Sequence, residues 1–307
     1  MNLDQKTIKK KLVLEGIALH SGALVKIALV PSEENTGITF LRTDLKKNSV
    51  IKACWKNIVP ASLCTKISNK YGASVSTIEH LMFSFYALGI TNLLIEINGP
   101  EIPIMDGSSK TFIDEILNNG LLNQKNKVSH LVIKKTFEVR DKDRFIRYEP
   151  SQTSSLEIDY TLEYKDQFIK KQNFRSKDVR KNILDIAHTR TFCHQEDLEK
   201  IFAMGLAKGG SLDNAIIISG NKILNQGGLR CKNEFVKHKT LDCLGDLYLS
   251  NQFINGKITC NQGGHELTGI LLKKIFKDKK NYAIESSDLS ASFKEKSFNS
   301  EEIQVVV

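Results

Sequence analysis

Three segments of this 307-residue chain carry side chains whose types and spacing suit hydrolytic metal chemistry. In STIEHLMFSFYALG, Ser76 to Gly89, Glu79 and His80 are adjacent. In EFVKHKTLDCLGDLYL, Glu234 to Leu249, the residues His238, Asp242 and Asp246 recur at every fourth position. In NQGGHELTG, two glycines precede His265. Residues four apart share one face of a helix. His238 and Asp242 can therefore reach one divalent cation from successive turns, as the two histidines of an H-E-x-x-H motif do. The Glu79–His80 pair suits the same chemistry. The imidazole would ligate, and the carboxylate, roughly 100° further round the helix, would face a water as general base.

Each segment also has a plainer reading when taken alone. Ser76 and Glu79 form the S-x-x-E pattern of a capping box, and His80 can be a core histidine. His238 and Asp242 can be a surface i,i+4 ion pair, and His265 an incidental residue in a glycine turn. Cys64, in ASLCTKIS, reads as a small buried hydrophobe. The glycine-bearing turns in EIPIMDGSSKTFID and MGLAKGGSLDNAI match neither a Walker nor a dinucleotide pattern.

The elements that must position these residues follow from periodicity. Ile78, Leu81, Met82 and Phe85 form an apolar stripe that ends at Gly89, and Leu241, Leu244, Leu247 and Tyr248 form another. Helical spacing also appears over Lys110 to Leu117, Gln195 to Met204 and Leu267 to Phe276. Strand patterns occur in ALVKIALV, NLLIEING, HLVIKKTFEV, SLEIDYTLEY and NAIIIS. Strands and helices do not alternate strictly, which favours an α+β architecture over a doubly wound sheet. The polar stretch NNGLLNQKNK, Asn118 to Lys127, predicts a boundary between domains at 1–124 and 125–307. No repeat of solenoid period is present. The tail after Ser286 is polar and expected to be loosely attached, with IQVVV able to add an edge strand.

Composition narrows the classes. A 41% hydrophobic and 26% charged chain is ordinary for a globular protein. The N-terminus lacks an apolar signal region, and no apolar run approaches the ~18 residues of a membrane span. The six cysteines form no C-x-x-C pair, so a reducing, cytoplasmic setting is expected without membrane insertion. The net charge of +9 could attract anions. Its lysines are dispersed, however, and the runs Lys9 to Lys11 and Lys277 to Lys280 read as solvated edges. No nucleic-acid reader pattern is present.

Taken together, the segments EGIALHSG, STIEHLMFSFYALGITN, EIPIMDGSS, HTRTF, GLAKGGSLDNAI, GLRCKNEFVKHKTLDCLGDL and GGHEL resemble the UDP-3-O-acyl-N-acetylglucosamine deacetylase family of Gram-negative lipid A biosynthesis. They occur in that family's order from about Thr7 to Phe276. The resemblance implies two similar α+β domains, each a sheet backed by helices, with the site in the cleft between them. It implies a monomeric cytoplasmic enzyme that hydrolyses the 2-acetamido group of UDP-3-O-acyl-N-acetylglucosamine in the committed step of the pathway. It implies one catalytic Zn2+, with Fe2+ as the alternative in the cell, held by His80, His238 and Asp242. By the same resemblance Glu79 is the general base, His265 the protonated partner and Asp246 the carboxylate behind it. Thr191 and Lys239 surround the reacting carbonyl and a substrate phosphate. His20 lies at the edge of the site, Phe192 is a further substrate-binding residue, Arg144 and Tyr164 hold the nucleotide, and Leu198 and Leu212 line an acyl passage. Gln262 stands where the family is typically basic.

Two rival readings remain on the sequence. Two histidines and a carboxylate also form the iron facial triad of oxygenases, although those ligands usually sit on barrel strands. A non-catalytic sugar-nucleotide or nucleic-acid binder would need a broken metal set, whereas all three ligand candidates and Glu79 are present.

Overall fold

The computed structural model describes residues 4–286 apart from 152, 154 and 165–167. Two five-stranded sheets organise the chain. The first contains β1 (Leu12–Ile17), β2 (Leu24–Pro31), β3 (Ile38–Arg42), β4 (Val50–Lys52) and β5 (Leu93–Ile97), in the order β1-β2-β5-β3-β4. The second contains β6 (Phe137–Asp141), β7 (Arg144–Glu149), β8 (Leu156–Glu163), β9 (Lys171–Ser176) and β10 (Gly256–Asn261), in the order β6-β7-β10-β8-β9. The same permutation recurs, and so do the directions. In each sheet one parallel pair, β3 with β5 and β8 with β10, sits among antiparallel neighbours. The α+β reading with two similar halves therefore holds.

Alternation explains the sheets. β8 buries Leu156, Ile158, Tyr160 and Leu162 while the intervening side chains are half-covered, the period-2 pattern of a strand with one core face. The helices are α1 (Glu79–Leu88), α2 (Lys110–Asn119), α3 (Ile183–Ala187), α4 (Leu198–Ala203), α5 (Glu234–Leu247) and α6 (His265–Phe276). The short α3, at five residues, lacks the length for a periodic signal in the sequence.

α1 departs from its expected stripe. All ten of its residues are buried, so Phe83, Tyr86 and Ala87 are core as well as Leu81, Met82 and Phe85. A helix covered on every side reads as apolar all round rather than amphipathic. Gly89 terminates it in the left-handed conformation, φ 71°. The core is continuous through both halves.

One local reading is corrected. HLVIKKTFEV is not one strand. It divides into Ser129–Ile133 and Phe137–Asp141, which belong to different sheets, with exposed Lys134 and Lys135 between them. The polar boundary stretch itself holds a strand. Leu121–Lys127 pairs antiparallel with Asp4–Ile8, because an edge pairing satisfies backbone groups without needing apolar side chains. The expectations for the tail after Ser286 lie outside the described residues.

Candidate active site

α1 and α5 meet at their functional ends. A Cβ on Gly245 would come within 2.1 Å of the Glu79 carbonyl oxygen, so only glycine there lets α5 lie against the start of α1. The contact brings Glu79 and His80, at the first turn of α1, against His238, Asp242 and Asp246 on one face of α5. Glu79 does not serve in a capping box. Ser76 lies in a short strand, with its hydroxyl donating to the Pro100 carbonyl at 3.2 Å. The Glu79 carboxylate instead accepts the Thr65 amide at 3.0 Å.

His80, His238 and Asp242 converge, all buried, with donor atoms within 4.8 Å of one another. Nε2 of each histidine lies 3.4 Å from Asp242 Oδ1. That oxygen is buried without a hydrogen-bond partner, a costly arrangement unless a cation satisfies it. His238 Nδ1 donates to the Thr189 carbonyl at 3.0 Å, which leaves Nε2 as the lone-pair atom. Burial pushes this imidazole down to about 3, so it stays neutral. Burial opposes charge on Asp242 too, but its surroundings, with Lys239 the neighbour that stays cationic, outweigh it and hold the carboxyl well below its usual range. Lys239 Nζ donates to Asp242 Oδ2 at 2.5 Å. Two imidazoles and a carboxylate fit a three-ligand site for zinc or a related divalent ion.

His265 opens α6 and sits beside this group. Its Nδ1 donates to Asp246 Oδ2 at 2.8 Å, and its Nε2 lies 3.8 Å from Glu79 Oε1. Burial disfavours the charged imidazole, but Asp246, Glu79 and Asp242 together raise its pKa to about 9. Burial also raises Glu79 above the ordinary carboxylate range, with His265 and His80 pulling the other way. A carboxylate of raised proton affinity beside a histidine held cationic is suited to act as an acid–base pair.

A cavity of about 670 Å³ adjoins the group. His20, Arg144, Tyr164, Thr191, Phe192, Leu198, Leu212, Lys239 and His265 all line it. Glu79, His80, Asp242 and Asp246 lie deeper and are not among the lining residues. Phe192 packs edge-on against Phe235, with centroids 4.8 Å apart. At the Gln262 turn the backbone carries the interactions. Arg144 Nε donates to the Gln262 carbonyl at 3.0 Å and Nη2 to that of Gly263 at 3.2 Å. Arg144 thus holds the loop that delivers His265.

Several supporting residues went unread in the sequence. Thr65 donates through Oγ1 to Asp246 at 2.5 Å as well as through its amide to Glu79. Buried Glu101 accepts the amides of His20 and Ser21 at 2.7 and 2.8 Å. Glu234 accepts the Arg190 amide and Nε at 3.1 and 2.9 Å, fixing the backbone next to Thr191. These contacts join residues far apart in sequence, so no local pattern could signal them.

No helix among the described residues is long and apolar enough to cross a membrane. Residues 5–277 match the model of a family described as UDP-3-O-acyl N-acetylglycosamine deacetylase. Proteins named UDP-3-O-acyl-N-acetylglucosamine deacetylase are similar along most of their length. The one from Haemophilus ducreyi is 40% identical over 90% of this chain and 91% of its own. The one from Campylobacter hominis is 41% identical over 93% and 96%, and the one from Helicobacter pylori 40% over 92% and 94%.

Proposed function

This chain belongs to the UDP-3-O-acyl-N-acetylglucosamine deacetylase family, and from that premise we propose that it hydrolyses the 2-acetamido group of UDP-3-O-acyl-N-acetylglucosamine with one zinc ion held by His80, His238 and Asp242. The products are acetate and the free 2-amino sugar nucleotide, the committed step of lipid A biosynthesis. The observation that carries the reading is the buried, unpartnered Asp242 Oδ1 lying 3.4 Å from two imidazole nitrogens.

When bound, the ion supplies Lewis acidity and lowers the pKa of a water towards ~7. Glu79 is the base that takes the water's proton, and its raised pKa suits it to receive one. Thr191 and Lys239 face the developing oxyanion from the cavity wall. His265, kept cationic by Asp246, donates a proton to the departing amine, which would otherwise leave as an unstable amide anion. Arg144 and Lys239 supply positive charge for the diphosphate, with Tyr164, Phe192 and His20 at the nucleotide and sugar end. Leu198 and Leu212 offer apolar surface to the acyl chain. The enzyme is expected to work as a cytoplasmic monomer, a setting that agrees with its free cysteines. The domain boundary is proposed near 124/125, between the two repeated sheets.

Glu79→Gln tests the base assignment. The variant should retain metal by elemental analysis and lose acetate release by a factor of roughly 10²–10⁴. Turnover near that of the parent would sink the assignment.

A further inference from the structure

A second group of metal-binding side chains lies away from the catalytic cleft. Asp185 on α3, His188 just after it and Cys231 in the approach to α5 bring donor atoms within 4.8 Å of one another. Zinc with bonds of about 2.0–2.3 Å needs donors somewhat closer than that, which rotation of the exposed Asp185 side chain can provide. His188 Nδ1 pairs with the Leu184 carbonyl at 2.9 Å. With Nδ1 donating, Nε2 keeps its lone pair, the arrangement usual for a metal-ligating histidine. The framework is held from both sides. Arg230, next to Cys231, donates through Nη1 to the His188 carbonyl at 3.0 Å and through its amide to Glu234 at 2.6 Å.

A cation already favours this point. Lys237 Nζ lies 2.6 Å from Asp185 Oδ2 and 3.8 Å from Cys231 Sγ. The ammonium marks where the donors converge, and its flexible stem lets it leave.

We propose that Asp185, His188 and Cys231 form a second, peripheral site for a thiophilic divalent cation of the zinc class, which displaces the Lys237 ammonium and completes its coordination with water. A thiolate, an imidazole and a carboxylate together select zinc over magnesium or calcium. The site contains no group of the catalytic cleft.

Cobalt substitution of the full-length chain tests this, because the catalytic group has no sulfur ligand. Reconstituted protein should bind about two ions per chain and show thiolate-to-cobalt charge-transfer absorption in the near ultraviolet. Cys231→Ser should bind one ion and lose the absorption, with acetate release unchanged. His80→Ala should also bind one ion yet keep the absorption, so failure of the peripheral site and of the catalytic one are read separately. Lys237→Met should tighten the second ion severalfold, and an unchanged affinity would contradict the shared position. No thiolate absorption in the parent protein, or absorption that persists in Cys231→Ser, would overturn the proposal.

Discussion

At the residue scale the proposed chemistry turns on His265 and its carboxylates. A histidine whose pKa is raised to about 9 is protonated at neutral pH and loses its proton as the pH climbs through that value. The alkaline limb of kcat/KM should therefore fall near pH 9. His265→Ala should flatten that limb, and Asp246→Asn should move it to lower pH by removing the neighbouring negative charge. A limb unchanged in both variants would contradict the acid role. Linkage gives the same sign for stability. The unfolded histidine titrates at about 6.5, so the contribution of the charged pair is complete below that pH and is lost as pH rises through about 9.

The chemistry-bearing residues were the most legible part of the chain. His238, Asp242 and Asp246 stand on one helix, and the i,i+4 relation is readable wherever helical spacing is readable. The side chains that hold them were not. Thr65 serves Asp246 across 181 residues of sequence, and Glu101 serves His20 across 81. Such pairs exist only once the sheets have brought the segments together. Glu79 misled in a specific way: S-x-x-E is a good capping signal, but Ser76 was already committed to a strand.

At the scale of elements, the packing of α5 on α1 decides whether a site exists. Gly245→Ala places a methyl 2.1 Å from the Glu79 carbonyl, a clash with backbone that no side-chain rotation relieves. The helices must separate, at a cost of about 1–3 kcal/mol or more, and Glu79 and His80 must shift relative to Asp242. Urea unfolding should show a lower midpoint, and metal content should fall with it. A variant of parental stability and full metal occupancy would contradict this view of the helix contact. α1, α2, α5 and α6 are legible because each has several periodic turns or a firm stop, and α4 because the turn at Gln195–Asp197 leads straight into it and lengthens the helical span. The two strands on either side of Lys134 and Lys135 read as one, because the apolar positions keep their parity through a change of sheet.

At the scale of the whole molecule, the two sheets repeat one strand order without a readable repeat in the residues. Strand order depends on which edges pair, and many sequences with period-2 alternation satisfy it. The proposed metal group is drawn from both halves, His80 from the first and His238 with Asp242 from the second. The molecule's charge of +9, with Arg144 and Lys239 lining the cavity, should favour an anionic nucleotide at low ionic strength. KM should rise with added salt while kcat holds steady. A KM insensitive to salt would argue against charge-assisted capture.

The central claim is metal-dependent removal of an acetyl group, and acetate release from UDP-3-O-acyl-N-acetylglucosamine tests it most directly. The purified chain should release acetate, lose that activity on treatment with a chelator and recover it when zinc is restored. Undiminished acetate release by protein shown to be metal-free, or none from the metal-loaded chain, would contradict the account.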